Sequence, residues 1–209
     1  MKTLIFSLLI VLSGATIAQE TATPTAETTS TETAKKSKKK KKSKKDKTSI
    51  YLQNALVIAQ MDTPEDRYSM EITLTEMFSQ KGVKAIPSLN VLKLGSDARI
   101  LATDSIQKIV AAKGVDTYCI VSIRGFDRNY SVSNRADDFE TALNQASFFN
   151  LYREDAVSVT FQFKFFRNNE CVHAEVVKCG NIGSRESVLK RFRKKVGKRI
   201  KKSWTKASK

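Results

Sequence analysis

Residues 157–165 alternate without a break. Val157, Val159, Phe161, Phe163 and Phe165 are apolar, and Ser158, Thr160, Gln162 and Lys164 between them are polar. Side chains on a strand point to opposite faces in turn, so this run predicts a strand with one face in a core. Asn168-Asn169 is a two-residue turn of the kind that closes hairpins. Counting back from that turn sets Phe165 opposite Val172, Phe163 opposite Ala174 and Phe161 opposite Val176. This register joins apolar face to apolar face. It leaves Cys171, His173, Glu175 and Cys179 on the other, more polar face with Gln162 and Lys164.

A sheet with an aromatic face needs a cover. Upstream, Ala55-Leu56-Val57-Ile58-Ala59 is a short apolar run typical of a strand buried on both faces. Thr63-Pro64-Glu65-Asp66 opens a helix: Thr63 caps it, Pro64 suits its first position and the acids favour its positive end. Tyr68, Met70, Ile72, Leu74, Met77 and Phe78 supply its apolar side, and Gly82 stops it. Val83–Ile86 is a second strand, ended by Pro87. A second helix spans Thr103–Lys113, with Ile106, Ile109 and Val110 as its stripe and Gly114 as its stop. Thr117–Ile123 is a third strand. Residues 125–154 are a long polar loop, with a short helix near 139–147.

The last element is a helix over Ser184–Trp204. Val188, Leu189, Phe192, Val196, Ile200 and Trp204 form a narrow stripe at near four-residue spacing, and nearly everything else on it is basic. The stripe suits the sheet as its cover, and this is the favoured placement; the alternative lays the helix on an anionic membrane with Trp204 at the interface. The expected fold is α/β (α+β): a three-layer-like mixed sheet, βαβαβ, followed by a β-hairpin and a C-terminal amphipathic helix. It occupies residues 48–209 as a single domain.

The segments before it cannot build a core. Residues 1–18 read as an export signal: Lys2 gives a positive start, Leu4–Leu12 is apolar apart from Ser7, and small residues lead to cleavage after Ala18. The apolar run is about half the roughly 20 residues of a membrane-spanning helix. Residues 19–34 are a Thr/Glu-rich spacer expected to be disordered. Residues 35–47 hold ten lysines and one acid, and their mutual repulsion favours an extended chain. The formal net charge of the 209-residue chain is +16. That excess belongs to the lysine run and to the last helix, because residues 48–184 are close to neutral. A high pI here describes two segments, not a basic fold.

No catalytic constellation is legible. The three cysteines are Cys119, Cys171 and Cys179, an odd count that excludes a disulfide scaffold. Cys171 and Cys179 on one strand would stand ~26 Å apart, against the roughly 7 Å a disulfide needs. Cys171, His173 and Glu175 fall ~6.6 Å apart along the strand, too far to hold one small ion without ligands from elsewhere. Asp137, Asp138 and Glu140 cluster in the long loop, where a solvated role outweighs paired-acid catalysis. Arg67 and Glu71 are a surface-type i,i+4 ion pair worth ~0.3–0.5 kcal/mol. No cofactor or metal site is expected, and no enzyme activity.

Residues 53–202 nevertheless resemble a family of bacterial envelope proteins, mostly lipoproteins, with a small α/β domain. The family is related in architecture to the N-terminal domain of the translocation protein TolB and to curli-secretion-type assembly lipoproteins. The resemblance rests on Leu56-Val57-Ile58-Ala59, on the following helix with Arg67 and Glu71, and on Gly82, Ala85, Ser88, Gly114 and Asp116. It implies an envelope location and a non-enzymatic role, and the family brings no catalytic residues to carry over. This chain lacks the lipidated cysteine after the signal, and a lysine-rich segment takes its place.

The candidate binding residues are therefore Lys35, Lys36, Lys38, Lys39, Lys40, Lys41, Lys42, Lys44 and Lys45, joined by cations of the last helix such as Arg191. They suit anionic lipid headgroups, lipopolysaccharide or acidic polysaccharide, with an envelope protein as a further partner. Non-specific nucleic-acid binding is the alternative. The lysine run lacks interleaved aromatics, so base stacking is not suggested.

Overall fold

The computed structural model describes residues 49–93, 95–132, 138–145 and 149–205. They belong to one compact unit spanning Lys45–Lys209. The export, spacer and lysine segments expected at 1–18, 19–34 and 35–47 lie outside the described residues.

The chain forms β1 (Asn54–Gln60), α1 (Pro64–Ser79) and β2 (Lys84–Pro87). Two 3₁₀ turns, Ser88–Asn90 and Ala98–Ala102, lead to α2 (Asp104–Ala112) and β3 (Tyr118–Phe126). Then come α3 (Phe139–Asn144), the hairpin strands β4 (Ser158–Arg167) and β5 (Glu170–Gly180), and α4 (Arg185–Arg199). A π-helical turn, Ile200–Trp204, extends α4. The sheet runs β2-β1-β3-β4-β5. β1 pairs in parallel with β2 and β3, whereas β4 pairs antiparallel with β3 and β5.

Two apolar clusters cover the two faces. On one face, Met70, Leu74, Met77 and Phe78 of α1 and the α4 stripe pack on Val57, Val121 and the odd-numbered aromatics of β4. On the other, Leu101, Val110, Phe139 and Leu143 cover Leu56, Ile58, Ile120 and Phe166. The result is the three-layered α/β sandwich expected from the sequence. Thr63 caps α1 by accepting from Asp66 N at 3.3 Å. Gly82 follows the helix at φ 78°, a left-handed conformation that costs glycine nothing. Ile72 and Ile109, expected on apolar stripes, are about half exposed. The inward residues of α1 are spaced 70, 74, 77 and 78, and Ile72 falls on the opposite side of that helix.

The hairpin differs from expectation by one residue. Its turn is as expected, with Asn168 and Asn169 at φ 49° and 66°. Yet Phe165 pairs with His173, Phe163 with Glu175 and Phe161 with Val177, after an irregularity beside Phe166↔Cys171. Val172 is the extra residue of a β-bulge, and one extra residue reverses every later side chain. His173, Glu175 and Cys179 therefore lie on the aromatic face under α4, and not with Gln162 and Lys164. Cys171 stays on the opposite face, against the α2 and α3 cluster. The outer strand β5 has a further guard, because Lys195 Nζ donates to Lys178 O at 2.9 Å.

Arg67 and Glu71 are not a surface pair. Glu71 is fully buried, and its Oε1 accepts from Ala59 N at 3.0 Å, Arg67 Nε at 3.2 Å and Ser88 Oγ at 2.7 Å. Arg67 also donates to Ser96 O at 2.8 Å and Ser88 Oγ at 3.0 Å. One carboxylate thus ties α1 to the end of β1 and to the turn after β2. Breaking a buried pair strands its partner, at a cost of about 3–5 kcal/mol. Glu71→Ala should lower Tm by roughly 10 °C or more. Arg99→Ala, which removes the exposed pair with Asp97, should change it by only a degree or two. Thermal melts of both variants check this; equal small shifts would make the Arg67–Glu71 pair an ordinary surface one.

Candidate functional site

The last helix begins with a capping box. Ser184 Oγ accepts from Ser187 N, and Ser187 Oγ accepts from Ser184 N. From there Val188, Phe192, Val196, Ile200 and Trp204 are all fully buried against the sheet. The stripe is therefore packed on the domain and is not available to a membrane. Trp204 sits 4.9 Å from Phe163, 5.0 Å from Phe165 and 6.0 Å from Phe78, measured between ring centroids.

With the stripe inward, the cations point outward. Four of them are engaged by the domain: Arg185 with Asp66 at 2.8 Å, Arg193 with Glu76 at 3.8 Å, Arg199 with Glu175 at 3.1 Å, and Lys195 as described. Lys190, Lys194, Lys198, Lys201 and Lys202 are exposed and form no ion pair among the described residues. Arg191 is half-buried on the same helix. A shallow groove between α1 and α4 is lined by both signs, Glu76 against Lys81 and Arg193, and does not extend the cationic surface.

The chain enters the domain at the end of this helix. Ile50 N donates to Ser203 O at 3.3 Å, Leu52 N donates to Trp204 O at 2.6 Å, and Ser49 Oγ donates to Ser203 O at 3.0 Å. Ile50 and Leu52 are themselves core residues. Ser49 follows Lys47 by two residues, and Ser203 follows Lys201 and Lys202 directly. The first described residues thus lie against the end of the last helix, beside Lys201 and Lys202 in sequence. Periodicity gave no sign of this, because Ser49–Leu52 is too short to carry a pattern. Lys35, Lys36, Lys38, Lys39, Lys40, Lys41, Lys42, Lys44 and Lys45 lie outside the described residues.

The other sequence candidates are placed as follows. Asp138 caps α3, accepting from Thr141 N at 2.6 Å, and this bond holds its carboxyl below the usual range. Glu140 lies in the first turn of α3, and Asp137 lies outside the described residues. All three cysteines are free. Burial pushes up the Cys119 thiol, and raises that of Cys179 to about 11 despite nearby Lys195. Neither is a ready thiolate at neutral pH.

The bulge in β5 created a polar cluster under α4 that alternation alone could not show. Trp204 Nε1 donates to Glu175 Oε2 at 2.9 Å, Arg199 lies against the other oxygen, and His173 Nε2 stands 3.8 Å away. Burial pushes the Glu175 carboxyl up, but Trp204, His173 and Arg199 together outweigh it and the net shift is downward. A carboxyl with a depressed folded-state value adds stability above its unfolded value of about 4.3, lost as pH falls through the folded one. Glu175→Gln should therefore melt below wild type at pH 7, with the gap narrowing in acid below about pH 4. Parallel Tm curves across that range would remove the carboxylate from the account.

The chain matches no protein-family model and no curated protein. Among solved structures it is similar to the lipoprotein GNA1162 from Neisseria meningitidis, with 13% identity over 72% of this chain and 99% of that one, at a TM-score of 0.40. It is also similar to the PelC dodecamer from Paraburkholderia phytofirmans. One crystal form gives 11% identity over 73% of this chain and 87% of that one, at a TM-score of 0.39. A second gives 10% identity over 72% and 86%, also at 0.39.

Proposed function

We propose that this protein is a non-enzymatic envelope component that holds to an anionic surface through one cationic pole. The observation that carries the reading is the hydrogen bonding of Ser49–Leu52 to Ser203–Trp204. It puts Ser49, two residues after Lys47 in sequence, against Ser203, which follows Lys201 and Lys202. Charges on one side of a domain act on the same surface at once. Charges on opposite sides do not, because their fields decay over about 8–10 Å in physiological salt.

The body of the domain is near neutral and its stripe is committed to the core. Adhesion therefore comes from cation density and not from an inserted apolar face. Each lysine near an anionic leaflet contributes about 1 kcal/mol. Ten of them suffice for an electrostatic tether in the place where related sequences carry a lipid. Anionic headgroups are the surface proposed, with lipopolysaccharide phosphates as the same chemistry in a different leaflet.

Co-sedimentation with phosphatidylglycerol-containing and neutral vesicles across a salt series tests the reading. Binding should be confined to the anionic vesicles and fall steeply with salt. Deleting residues 35–47 should abolish most of it. Lys201→Gln with Lys202→Gln should weaken it by about thirtyfold, at roughly 1 kcal/mol per charge. Binding undiminished at high salt would exclude an electrostatic tether. Equal capture by a nucleic acid and by vesicles would reduce the pole to a general polyanion site.

A further inference from the structure

At four-residue spacing, α4 and the turn that extends it divide into four columns. Val188, Phe192, Val196, Ile200 and Trp204 are the buried one. Arg185, Leu189, Arg193 and Gly197 run along the side toward α1, where Arg185 meets Asp66 and Arg193 meets Glu76. Arg191, Lys195 and Arg199 run along the side toward β5, where Lys195 donates to Lys178 O and Arg199 meets Glu175. The fourth column is Lys190, Lys194, Lys198 and Lys202, all exposed. It is two residues out of step with the buried stripe. Two residues are about 200° of helical turn, so the row lies opposite the core.

The columns differ in chemistry as well as in place. The cations held on carboxylates are all arginines, whereas the outward row is lysine throughout. An arginine fork suits a fixed pair, and a lysine is a mobile point charge on a flexible stem. Like charges at i,i+4 destabilise a helix. Glu186, the one acid of α4, stands in the first turn before the row begins. No ion pair among the described residues reaches the row. Solubility alone is served by interspersed charges of both signs. The fold therefore does not call for an unbroken row of one sign.

The geometry is that of a line. Successive lysines stand ~6 Å apart and the four span ~18 Å. Nothing apolar is free beside them to enter a bilayer, because Leu189 packs against the core. The aromatics of this element, Phe192 and Trp204, are fully buried, so the row has no ring on which a base could stack.

We propose that this lysine row binds a linear acidic polysaccharide laid along α4. A polymer with a carboxylate on each sugar matches a line of separate, mobile charges, and each contact releases counterions without a fixed geometry. The row runs the length of the helix and needs nothing from residues 35–47, so it and the tether at the chain entry can each fail alone.

Amine labelling of the full-length protein, read lysine by lysine by mass spectrometry, tests the proposal, with polygalacturonate as the probe and dextran as the neutral control. Polygalacturonate should protect Lys190, Lys194, Lys198 and Lys202. It should leave Lys93, Lys108 and Lys113, exposed elsewhere on the domain, labelled as in dextran. Lys190→Gln, Lys194→Gln and Lys198→Gln in one chain should weaken polygalacturonate binding by about tenfold and lower its log-salt slope by about two. Lys93→Gln, Lys108→Gln and Lys113→Gln in one chain should change neither. The row variant should melt no lower than wild type, because glutamine matches lysine in helix propensity and the like-charge pairs are gone. Deletion of residues 35–47 should leave the protection in place, whatever it does to vesicle binding. The proposal is overturned if all exposed lysines are protected alike or if the two triple variants lose binding equally. It is also overturned if a single-stranded oligonucleotide or phosphatidylglycerol vesicles protect the row and polygalacturonate does not.

Discussion

Trp204 holds the structure together from the π-helical turn that ends α4. Its ring fills the space between Phe78 of α1 and Phe163 and Phe165 of β4. Its indole N–H satisfies Glu175, and its carbonyl receives Leu52 N. Apolar burial of an indole is among the largest single-residue contributions a core can have. Here the same residue also settles a buried carboxylate and seats the entering strand. The covering helix, the outer strand and the chain entry share one anchor, and the direction of the cations follows from it.

Much of this was legible in the sequence, for reasons that differ by element. The α1 cap, the Asn168-Asn169 turn and the α4 stripe are local signals, fixed by neighbours within a few residues. They appear where expected. The hairpin register depends on a bulge, and a bulge is a single inserted residue with no composition of its own. Val172 looks like any strand valine, yet it moves His173 and Glu175 beneath the helix. Glu71 was misplaced for a related reason. Its i,i+4 spacing from Arg67 is the same on a surface and in a core, and only β1 and Ser88 decide which. The pairing of Ser49–Leu52 with Ser203–Trp204 is a tertiary fact with no local trace.

The charge of the chain is therefore better described by its geometry than by its total. Some cations of α4 are spent on Asp66, Glu76 and Glu175 and fasten the helix down. Lys190, Lys194, Lys198, Lys201 and Lys202 stand exposed, with no ion pair among the described residues, and the last two adjoin Ser203 at the chain entry. On the opposite layer, Lys164 is buried and donates to Gln145. A single sheet thus separates the exposed cations of α4 from a buried one.

The tie between Ser49 and Ser203 joins residues 154 apart in the chain, and it has a temporal meaning. A core that takes Trp204 as a central member cannot close before the last helix is in place. Contacts of such long separation also form late in folding, because a large loop must close first. Residues 54–126 can gather strands and helices early, but the aromatic face of β4 stays open until the last helix covers it. A chain built this way gains its stability in one late step, when the last helix docks and the chain entry is pinned with it.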